Sequence, residues 1–349
     1  MAKVALIADT HYGVRNDNIN YYEHFSKFFN NIFFPYLKTN NIKKVVHLGD
    51  VVDRRKYINF LTANHLRKTF LEPLEQLGVD TDIIVGNHDT YYKNTNEINA
   101  IDEVVRRYSN VNFYKDPVEV DLLGIPTLYL PWICKENHKR SVDLIKTTDA
   151  SLCIGHLEIQ GFLMQPGQVS KEGISPELFS KFSKTLSGHF HLRSTSNNIY
   201  YLGCPYQMNW SDYGAVKGFH ILDTDTQELE FIENPYDLYT RITLDSSFRN
   251  EKLATKANIT NHYVKVVIKE EVDTLKLEEF IEKVESLSPY EVKIVDETMV
   301  YQRESIDIEH LEDTQQIISN YIKSIDTSVD DDKLTDKILD LYHRALNAE

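Results

Sequence analysis

The fold of this chain is decided by the stretch Val45-Val46-His47-Leu48-Gly49-Asp50-Val51-Val52-Asp53. Its first four residues form a run that is typical of a buried strand. Glycine at position 49 permits a sharp turn where this strand ends, and Asp50 follows the turn directly. We expect the Asp50 carboxylate to lie between two metal ions and to bridge them.

The same arrangement recurs along the chain, because four other short apolar runs also end in polar residues. They end in Asp9-Thr10-His11, Gly86-Asn87-His88-Asp89, Gly155-His156 and Gly188-His189-Phe190-His191. In an open α/β fold the carboxyl ends of the strands converge on one crevice. We therefore expect seven side chains to point into one cleft: Asp9, His11, Asp50, Asn87, His156, His189 and His191.

This set of side chains has the chemistry of a metal site. Aspartate, asparagine and histidine suit borderline-hard divalent ions such as Mn²⁺, Fe²⁺ or Zn²⁺. The three cysteines, Cys134, Cys153 and Cys204, lack metal-binding spacing, which argues against a structural zinc site and favours free thiols in a reducing compartment. Each segment alone is explained equally well by a turn or a solvated loop, but five in one order at strand ends are not.

Composition narrows the class of protein further. The chain has 349 residues, 42% of them apolar, which is enough for one large domain and a smaller one. Its net charge of -15 does not favour a nucleic-acid binder, but residues 302–349 alone hold 5 basic and 12 acidic residues. Because so much of the negative charge lies in this segment, the rest of the chain can present a basic surface near the site, and the net charge does not exclude DNA binding. No run approaches the ~18 apolar residues of a membrane span, so we expect a cytoplasmic protein.

Hydrophobic periodicity predicts three parts in the chain, over residues 1–239, 240–301 and 302–349. The first alternates strands with helices, among them helices over 17–37 and 57–77, and Pro35 is expected to break or end the first helix. The apolar face of 17–37 is wider than one core stripe needs. Two interpretations remain: the whole face packs in the core, or part of it contacts a second subunit. The second part is a small α+β unit. The third holds two amphipathic helices that need a partner surface, over 306–325 and 332–348.

The chain resembles the calcineurin-like metallophosphoesterase superfamily over residues 3–235, on five motifs in order: Asp9-x-His11, Gly49-Asp50-x-x-Asp53, Gly86-Asn87-His88-Asp89, Gly155-His156 and Gly188-His189-x-His191. Within it, the chain is most similar to the SbcD-type nucleases of double-strand-break repair, particularly the small subunit of bacteriophage recombination nucleases. Pro131-Trp132 and Gly155-His156-Leu157-Glu158 support this narrower likeness. The resemblance implies an α/β fold, with a β-sandwich flanked by helices, a small α+β capping domain and C-terminal helices.

The resemblance also implies two divalent metal ions, Mn²⁺ before Mg²⁺. Two ions ~3.5–4 Å apart can clamp the attacking and leaving oxygens of an in-line displacement. One ion is expected on Asp9, His11, Asp50 and His191, and the other on Asp50, Asn87, His156 and His189.

His88 is the motif histidine that is not needed as a ligand. We expect it to donate a proton to the leaving oxygen or to stabilise the scissile phosphate. Asp53 is expected to orient His88 and to hold it cationic by raising its pKa. A helix N-cap remains the alternative role for Asp53.

Cations lie in loops after several of the site-forming segments. Such cations would grip a nucleic-acid backbone, since phosphate contacts supply position and most of the affinity. A solvated loop face is the alternative for each. The candidates are Arg15, Arg54, Arg55, Lys56, Lys93 and Arg193.

Taken together, the resemblance implies a metal-dependent nuclease subunit of an SbcCD-like recombination and repair complex. It would act as a 3′-to-5′ exonuclease on duplex DNA and as an endonuclease on single strands. The implied partners are DNA, a second copy bound through helices 17–37 and 57–77, and an SbcC-type SMC-like coiled-coil ATPase bound by the C-terminal helices. If the chain is phage-encoded, its place is the host cytoplasm.

Two other functions stay open on the sequence. A phosphoprotein phosphatase or a nucleotide phosphodiesterase would use the same metal site. A non-enzymatic scaffold that kept the fold would have no need for all seven ligands and His88.

Overall fold

The computed structural model describes residues 2–165 and 167–298, together with 334, 337 and 338. The predicted helices over 306–325 and 332–348 therefore lie outside the described residues, apart from those three positions. Among the described residues, no helix combines the length and the apolar character needed to cross a membrane.

Two six-stranded mixed sheets form the main body, which confirms the predicted α/β sandwich. In the first sheet the first four strands of the chain run parallel to one another. A later strand pairs antiparallel with the first of these, and the strand after it pairs antiparallel with that later strand at the edge of the sheet. The strands, numbered along the chain, lie in the order β14 (Leu229–Glu233), β13 (Gly218–Asp223), β1 (Lys3–Ile7), β2 (Lys44–His47), β3 (Asp80–Ile84) and β4 (Val111–Tyr114).

The second sheet has four parallel central strands and an antiparallel strand at each edge. The two sheets share a buried apolar cluster that includes Leu6, Val46, Ile154 and Leu186, so the inner faces of the sandwich are closed by aliphatic packing. The order of strands is β11 (Ser194–Ser196), β12 (Ile199–Tyr201), β10 (Lys184–Gly188), β7 (Leu152–His156), β6 (Ile125–Leu130) and β5 (Val118–Leu122).

Two long helical rods cover the outer face of the first sheet. The first begins after Asn18, whose side chain accepts from Asn20 N, and the second begins after Asn59, whose side chain accepts from Leu61 N. Phe29 and Phe70 join the rods, with ring centroids 5.5 Å apart. The first consists of Ile19–Phe28, Phe29–Phe33 and Phe34–Thr39, and the second of Phe60–Leu66, Arg67–Leu71 and Glu72–Gln76.

The expectation that Pro35 breaks the first rod is wrong. The middle segment of each rod is a π-helical turn, and proline lies at the start of the segment that follows it, at Pro35 and Pro73. Proline has no N–H to donate to a helical hydrogen bond. In the π-helical turn just before it, the amides pair with carbonyls five residues back instead of four, so the helix can continue although this hydrogen bond is missing. The chain therefore continues as a rod past both prolines.

Several smaller elements complete the described chain. The helix that begins at His138 was not predicted from the hydrophobic pattern, and neither was β4. A two-stranded hairpin pairs β8 (Leu163–Gln165) with β9 (Gln168–Val169). The helices and helical turns are Val14–Asp17, Ala100–Val105, His138–Thr147, Pro176–Phe179, Trp210–Asp212, Arg249–Leu253 and Lys256–Ile259.

A third sheet begins at Tyr239, next to the predicted boundary between residues 239 and 240. Its parallel strands are packed by the helix Thr274–Ser286 around a small core of their own. The hydroxyl of Tyr21 on the first rod lies 2.5 Å from that of Tyr239, which ties this unit to the sandwich. The strands are β15 (Tyr239–Leu244), β16 (Tyr263–Ile268) and β17 (Glu291–Asp296).

Candidate metal centre

The loops that follow β1, β2, β3, β7 and β10 converge at one end of the sandwich. Asp9 N donates to Gly49 O at 3.0 Å, which joins the first two loops. The two sheets are joined by His156, whose Nδ1 lies 2.8 Å from Leu48 O, and by His189 N, which donates to an Asp9 carboxylate oxygen at 2.9 Å. The structure thus brings all seven predicted ligand residues to one place.

A first group of donor atoms comes from Asp9, His11 and His191. These atoms all lie within 4.8 Å of one another. Nε2 of His11 and Nε2 of His191 are 3.1 Å apart. This group matches one of the two predicted ligand sets, apart from Asp50.

A second group comes from Asp50, His156 and His189, again with donor atoms within 4.8 Å. Asn87 belongs with this group, because its Oδ1 lies 2.9 Å from His156 Nε2 and 2.9 Å from His189 Nδ1. The second predicted ligand set is therefore also assembled.

Asp50 lies where the two groups adjoin. Its Oδ2 is 3.7 Å from His11 Nε2 of the first group and 3.3 Å from His156 Nε2 of the second. Its Oδ1 accepts from His88 N at 2.7 Å, which fixes the direction of the carboxylate. The position suits a bridging ligand, and the bridge itself stays a prediction.

Four of the seven predicted ligands have a left-handed backbone. The φ angles are 54° at Asp9, 43° at His11, 56° at Asp50 and 89° at His189. This conformation costs an L-residue roughly 1–2 kcal/mol, and such residues cluster at functional sites where the surrounding structure holds them. The backbone is therefore strained at these four positions, and the surrounding structure holds it so that their side chains lie in the site.

Two of the glycines that precede predicted ligands are required by close approach. A Cβ built on Gly86 would lie 2.2 Å from Asp50 N and 2.3 Å from Asp50 Oδ1. A Cβ on Gly49 would lie 2.5 Å from His156 Nδ1, and Gly49 itself has a φ of 94°. No other residue fits at either position without moving a predicted ligand.

Asp89 supports the loops of the site, a role that was not predicted from the sequence. It is fully buried and accepts from Asp50 N at 2.9 Å, Val52 N at 3.1 Å and Gly86 N at 2.8 Å. Burial raises the pKa of its carboxyl to about 6, reinforced by the neighbouring charge of Asp50. Asp89 is the last residue of the motif Gly86-Asn87-His88-Asp89. Asn87 and His88 had predicted roles at the metal ions and the phosphate, so the motif itself could have indicated a supporting role for Asp89.

Lys217 is a second supporting residue that no motif indicates. Its Nζ donates to His191 O at 2.9 Å and to Asp212 Oδ1 at 2.6 Å, and lies 3.1 Å from Cys204 Sγ. His191, Cys204 and Asp212 resemble a metal-binding cluster by their spacing, but the buried ammonium already satisfies the charge of Asp212. We interpret this cluster as an ion pair that holds the His191 segment in place.

The electrostatics of the site suit bound cations. Burial disfavours the charge of Asp50, yet His156 and His11 hold the pKa of its carboxyl well below its ordinary value. Burial opposes a charge on His156 too, but Asp50 outweighs it and raises the imidazole pKa to about 9. Burial lowers the pKa of His189 to about 3, and that of His191 well below its ordinary value. Neutral imidazole is the form that binds metal, so the rings of His189 and His191 fit divalent ions as they stand, whereas His156 would release a proton when an ion binds.

The predicted interaction between Asp53 and His88 differs in the structure. The Asp53 carboxylate lies 3.4 Å from His11 Nδ1, and only its backbone oxygen contacts His88, 2.5 Å from Nδ1. The pKa of His88 is lowered rather than raised, because burial outweighs the nearby carboxylates of Asp50 and Asp53. Asp53 is not a helix cap either, since Asn59 caps the next helix.

The predicted DNA-contacting cations fall into different situations. Arg54 forms an ion pair with Asp17, so its charge is already compensated. Arg55 is directed to the site loop, with Nη1 3.1 Å from Thr90 Oγ1. Arg193 lies 3.5 Å above the ring of Phe231. The remaining three are exposed: Arg15, Lys56 and Lys93.

A sandwich of two mixed sheets whose loops gather Asp, Asn and His donors into two adjoining groups defines a metal-dependent phosphoesterase. The chain belongs to the calcineurin-like phosphoesterase family, which matches residues 2–210. It is 33% identical over 299 residues to "Exonuclease subunit 1" of Enterobacteria phage T4, a match that covers 85% of this chain and 86% of the relative. The chain is thus a metal-dependent phosphodiesterase.

Solved structures give a fainter likeness. An archaeal phosphodiesterase has a TM-score of 0.34 and 13% identity, over 66% of this chain and 99% of that one. GAP50 of Plasmodium, the anchor in the inner membrane complex, has a TM-score of 0.41 and 9% identity, over 82% of this chain and 96% of that one. At these scores the likeness does not bear on function.

Proposed function

We propose that this chain is the catalytic subunit of a DNA nuclease that hydrolyses phosphodiesters with two divalent metal ions. One ion is held by Asp9, His11, Asp50 and His191, and the other by Asp50, Asn87, His156 and His189. The observation that carries the proposal is the position of Asp50 Oδ2, 3.7 Å from a donor of one group and 3.3 Å from a donor of the other. Manganese is the preferred ion, with magnesium second.

Each part of the site has a separate task. When bound, the ions supply charge that neutralises the scissile phosphate and lowers the pKa of an attacking water. The protein's own residues position the substrate and move a proton. His88 faces the site from beside His11, with ring centroids 4.8 Å apart, and it is partly exposed. Its lowered pKa keeps the ring neutral near pH 7, and its Nδ1 lies 2.5 Å from the Asp53 backbone oxygen, which accepts the one ring proton. Its Nε2 therefore carries a lone pair and can accept a proton from the attacking water as a general base.

DNA is the substrate that the similarity to a phage exonuclease subunit supports, over phosphoproteins and small nucleotides. We expect 3′-to-5′ digestion of duplex DNA and endonuclease cutting of single strands. The site offers Arg55 beside Thr90, together with the exposed Lys56 and Lys93, as contacts for the backbone.

The test of this function is hydrolysis of end-labelled duplex DNA with Mn²⁺ or Mg²⁺, compared with an aryl phosphodiester and a phosphopeptide. We expect DNA to be the best substrate and its binding to weaken steeply with salt. In a second arm an SbcC-type ATPase is added. It should stimulate digestion by the full chain but not by a chain that lacks residues 306–349. Faster hydrolysis of the phosphopeptide than of DNA would assign the protein to the phosphatases instead.

We also propose that the chain forms a homodimer through the two helical rods. Phe60 is 94% exposed, and Ile19 and Leu61 expose about half of their surface. These two residues line a groove of about 510 Å³ between the rods. Clustered apolar exposure of this kind marks interaction surfaces. Sedimentation velocity of the isolated chain measures its state, and a monomer at tens of micromolar protein would refute the dimer.

A further inference from the structure

The loop of residues 90–99 leaves the metal centre directly after His88 and Asp89. It is held at both ends by hydrogen bonds rather than left free. Tyr91 N donates to Ile98 O at 2.9 Å, and Ala100 N donates to Asp89 O at 2.7 Å. Further along, the buried Asn96 side chain donates to the Trp132 carbonyl at 2.8 Å. The start of the loop therefore has a defined position relative to the site.

Two aromatic side chains of this anchored loop are exposed. Tyr91 is 37% exposed and Tyr92 is 50% exposed, and Ile98 beside them is 53% exposed. The two tyrosine rings touch each other edge to face, with centroids 4.7 Å apart. Aromatic rings bury large apolar areas when the fold allows it. An anchored loop that keeps two of them in solvent next to a catalytic centre presents a surface for a ligand.

Chain connectivity places the pair close to the reacting centre. Tyr91 is three residues and Tyr92 four residues after His88. At no more than about 3.6 Å per residue, their Cα atoms lie within about 11–14 Å of that of His88. Successive nucleotides of one duplex strand rise about 3.4 Å, so this upper limit corresponds to at most roughly three or four nucleotides.

The charges around the tyrosine pair suit a nucleic-acid strand. The exposed Lys93 follows Tyr92 directly. Arg55 contacts Thr90 at the root of the loop, with its Nη1 3.1 Å from Thr90 Oγ1. Cations beside aromatic rings are the combination that single-strand binding surfaces use, with bases on the rings and phosphates on the cations.

We propose that Tyr91 and Tyr92 form a stacking platform for unpaired bases of the strand that is being cut. This proposal rests on the DNA nuclease function proposed above and names the form of DNA that the site takes. Bases inside a duplex are already stacked on their neighbours, whereas unpaired bases offer a free face to an aromatic ring. The platform thus selects single strands and frayed ends, and it holds the bases a few nucleotides from the phosphate at the metal centre.

The test compares two single strands of equal length and charge, one with all its bases and one abasic throughout. Binding is measured by fluorescence anisotropy in the presence of a chelator, so that neither strand is cut. We expect the wild-type protein to prefer the strand with bases by about 5- to 150-fold, the range that stacking of one base supplies. In the double variant Tyr91→Ala/Tyr92→Ala this preference should disappear, while Tyr91→Phe/Tyr92→Phe should keep it because both rings remain.

Leu123→Ala is the matched control, since Leu123 is an exposed apolar residue (46%) in the turn between β5 and β6, outside the loop. It should bind both strands as the wild type does. An equal preference for bases in wild type and double alanine variant would overturn the platform. Cleavage of single-stranded DNA by the wild type with Mn²⁺ is measured in parallel. Absence of cleavage there would refute the nuclease function and the platform together. Normal cleavage, combined with an unchanged base preference in the double alanine variant, would refute the platform alone.

Discussion

Replacement of Asp50 with alanine is expected to release both metal ions together and to lower phosphodiester hydrolysis by about 10³-fold or more. The ions contribute several kcal/mol of charge stabilisation in the transition state, and each 1.36 kcal/mol corresponds to a tenfold change in rate. A single carboxylate oxygen lies near donors of both groups, so its loss should weaken both sites. Elemental analysis after gel filtration with Mn²⁺ gives the number of ions retained, and the aryl phosphodiester gives the rate.

Asp143→Ala is the control for this variant. Asp143 is an exposed aspartate on the helix His138–Thr147, and its loss should leave both ions and the rate unchanged. If Asp50→Ala retained two ions per chain, the bridging role would be wrong. If it retained one ion per chain, Asp50 would be a ligand of only one of the two donor groups.

His88→Ala is expected to keep both ions but to lose about 10²–10⁴-fold in turnover, the range of a general acid or base. His88 belongs to neither of the two main donor groups, although its ring lies close to that of His11. The effect should appear in kcat at saturating DNA, because the residue acts on the reacting phosphate rather than on strand binding. The same elemental analysis and single-turnover cleavage of end-labelled DNA measure the two quantities.

The structure also offers an alternative that this variant would expose. His11, Asp53 and His88 have donor atoms within 4.8 Å of one another and form a third candidate set of metal ligands. Loss of an ion from His88→Ala would favour that set and make His88 a ligand. The exposed His138 provides the control, since His138→Ala removes the same side chain from a helix end and should change neither ion content nor turnover.

Much of the site was predictable because its signals are local. The strands β1, β2, β3, β7 and β10 each end within two residues of the point where the sequence predicts that an apolar run ends. A short apolar run that ends in glycine and a polar residue determines both where a strand stops and which side chain follows it. The requirement for glycine was also readable, and Gly86 shows its physical basis in the 2.2 Å approach to Asp50 N.

Two of the predictions that differed from the structure concern partners that lie far apart in the chain. Asp53 was expected to contact His88 through its carboxylate, but that carboxylate lies beside His11. Arg54 was expected to be free for DNA, but it is paired with Asp17. Periodicity reports whether a residue is buried, and it contains no information on which distant residue will meet it.

The amino-acid sequence alone determined the class of fold, the seven polar residues that converge and the kind of ion they suit, because strand ends, turns and ligand chemistry depend on neighbouring residues. Tertiary structure alone decided that Asp50 stands between two donor groups, that Lys217 holds the backbone of His191 from 26 residues away, and that Tyr91 and Tyr92 stay exposed beside the site. Distances between side chains follow from how two sheets pack against each other, and that packing is a property of the whole chain.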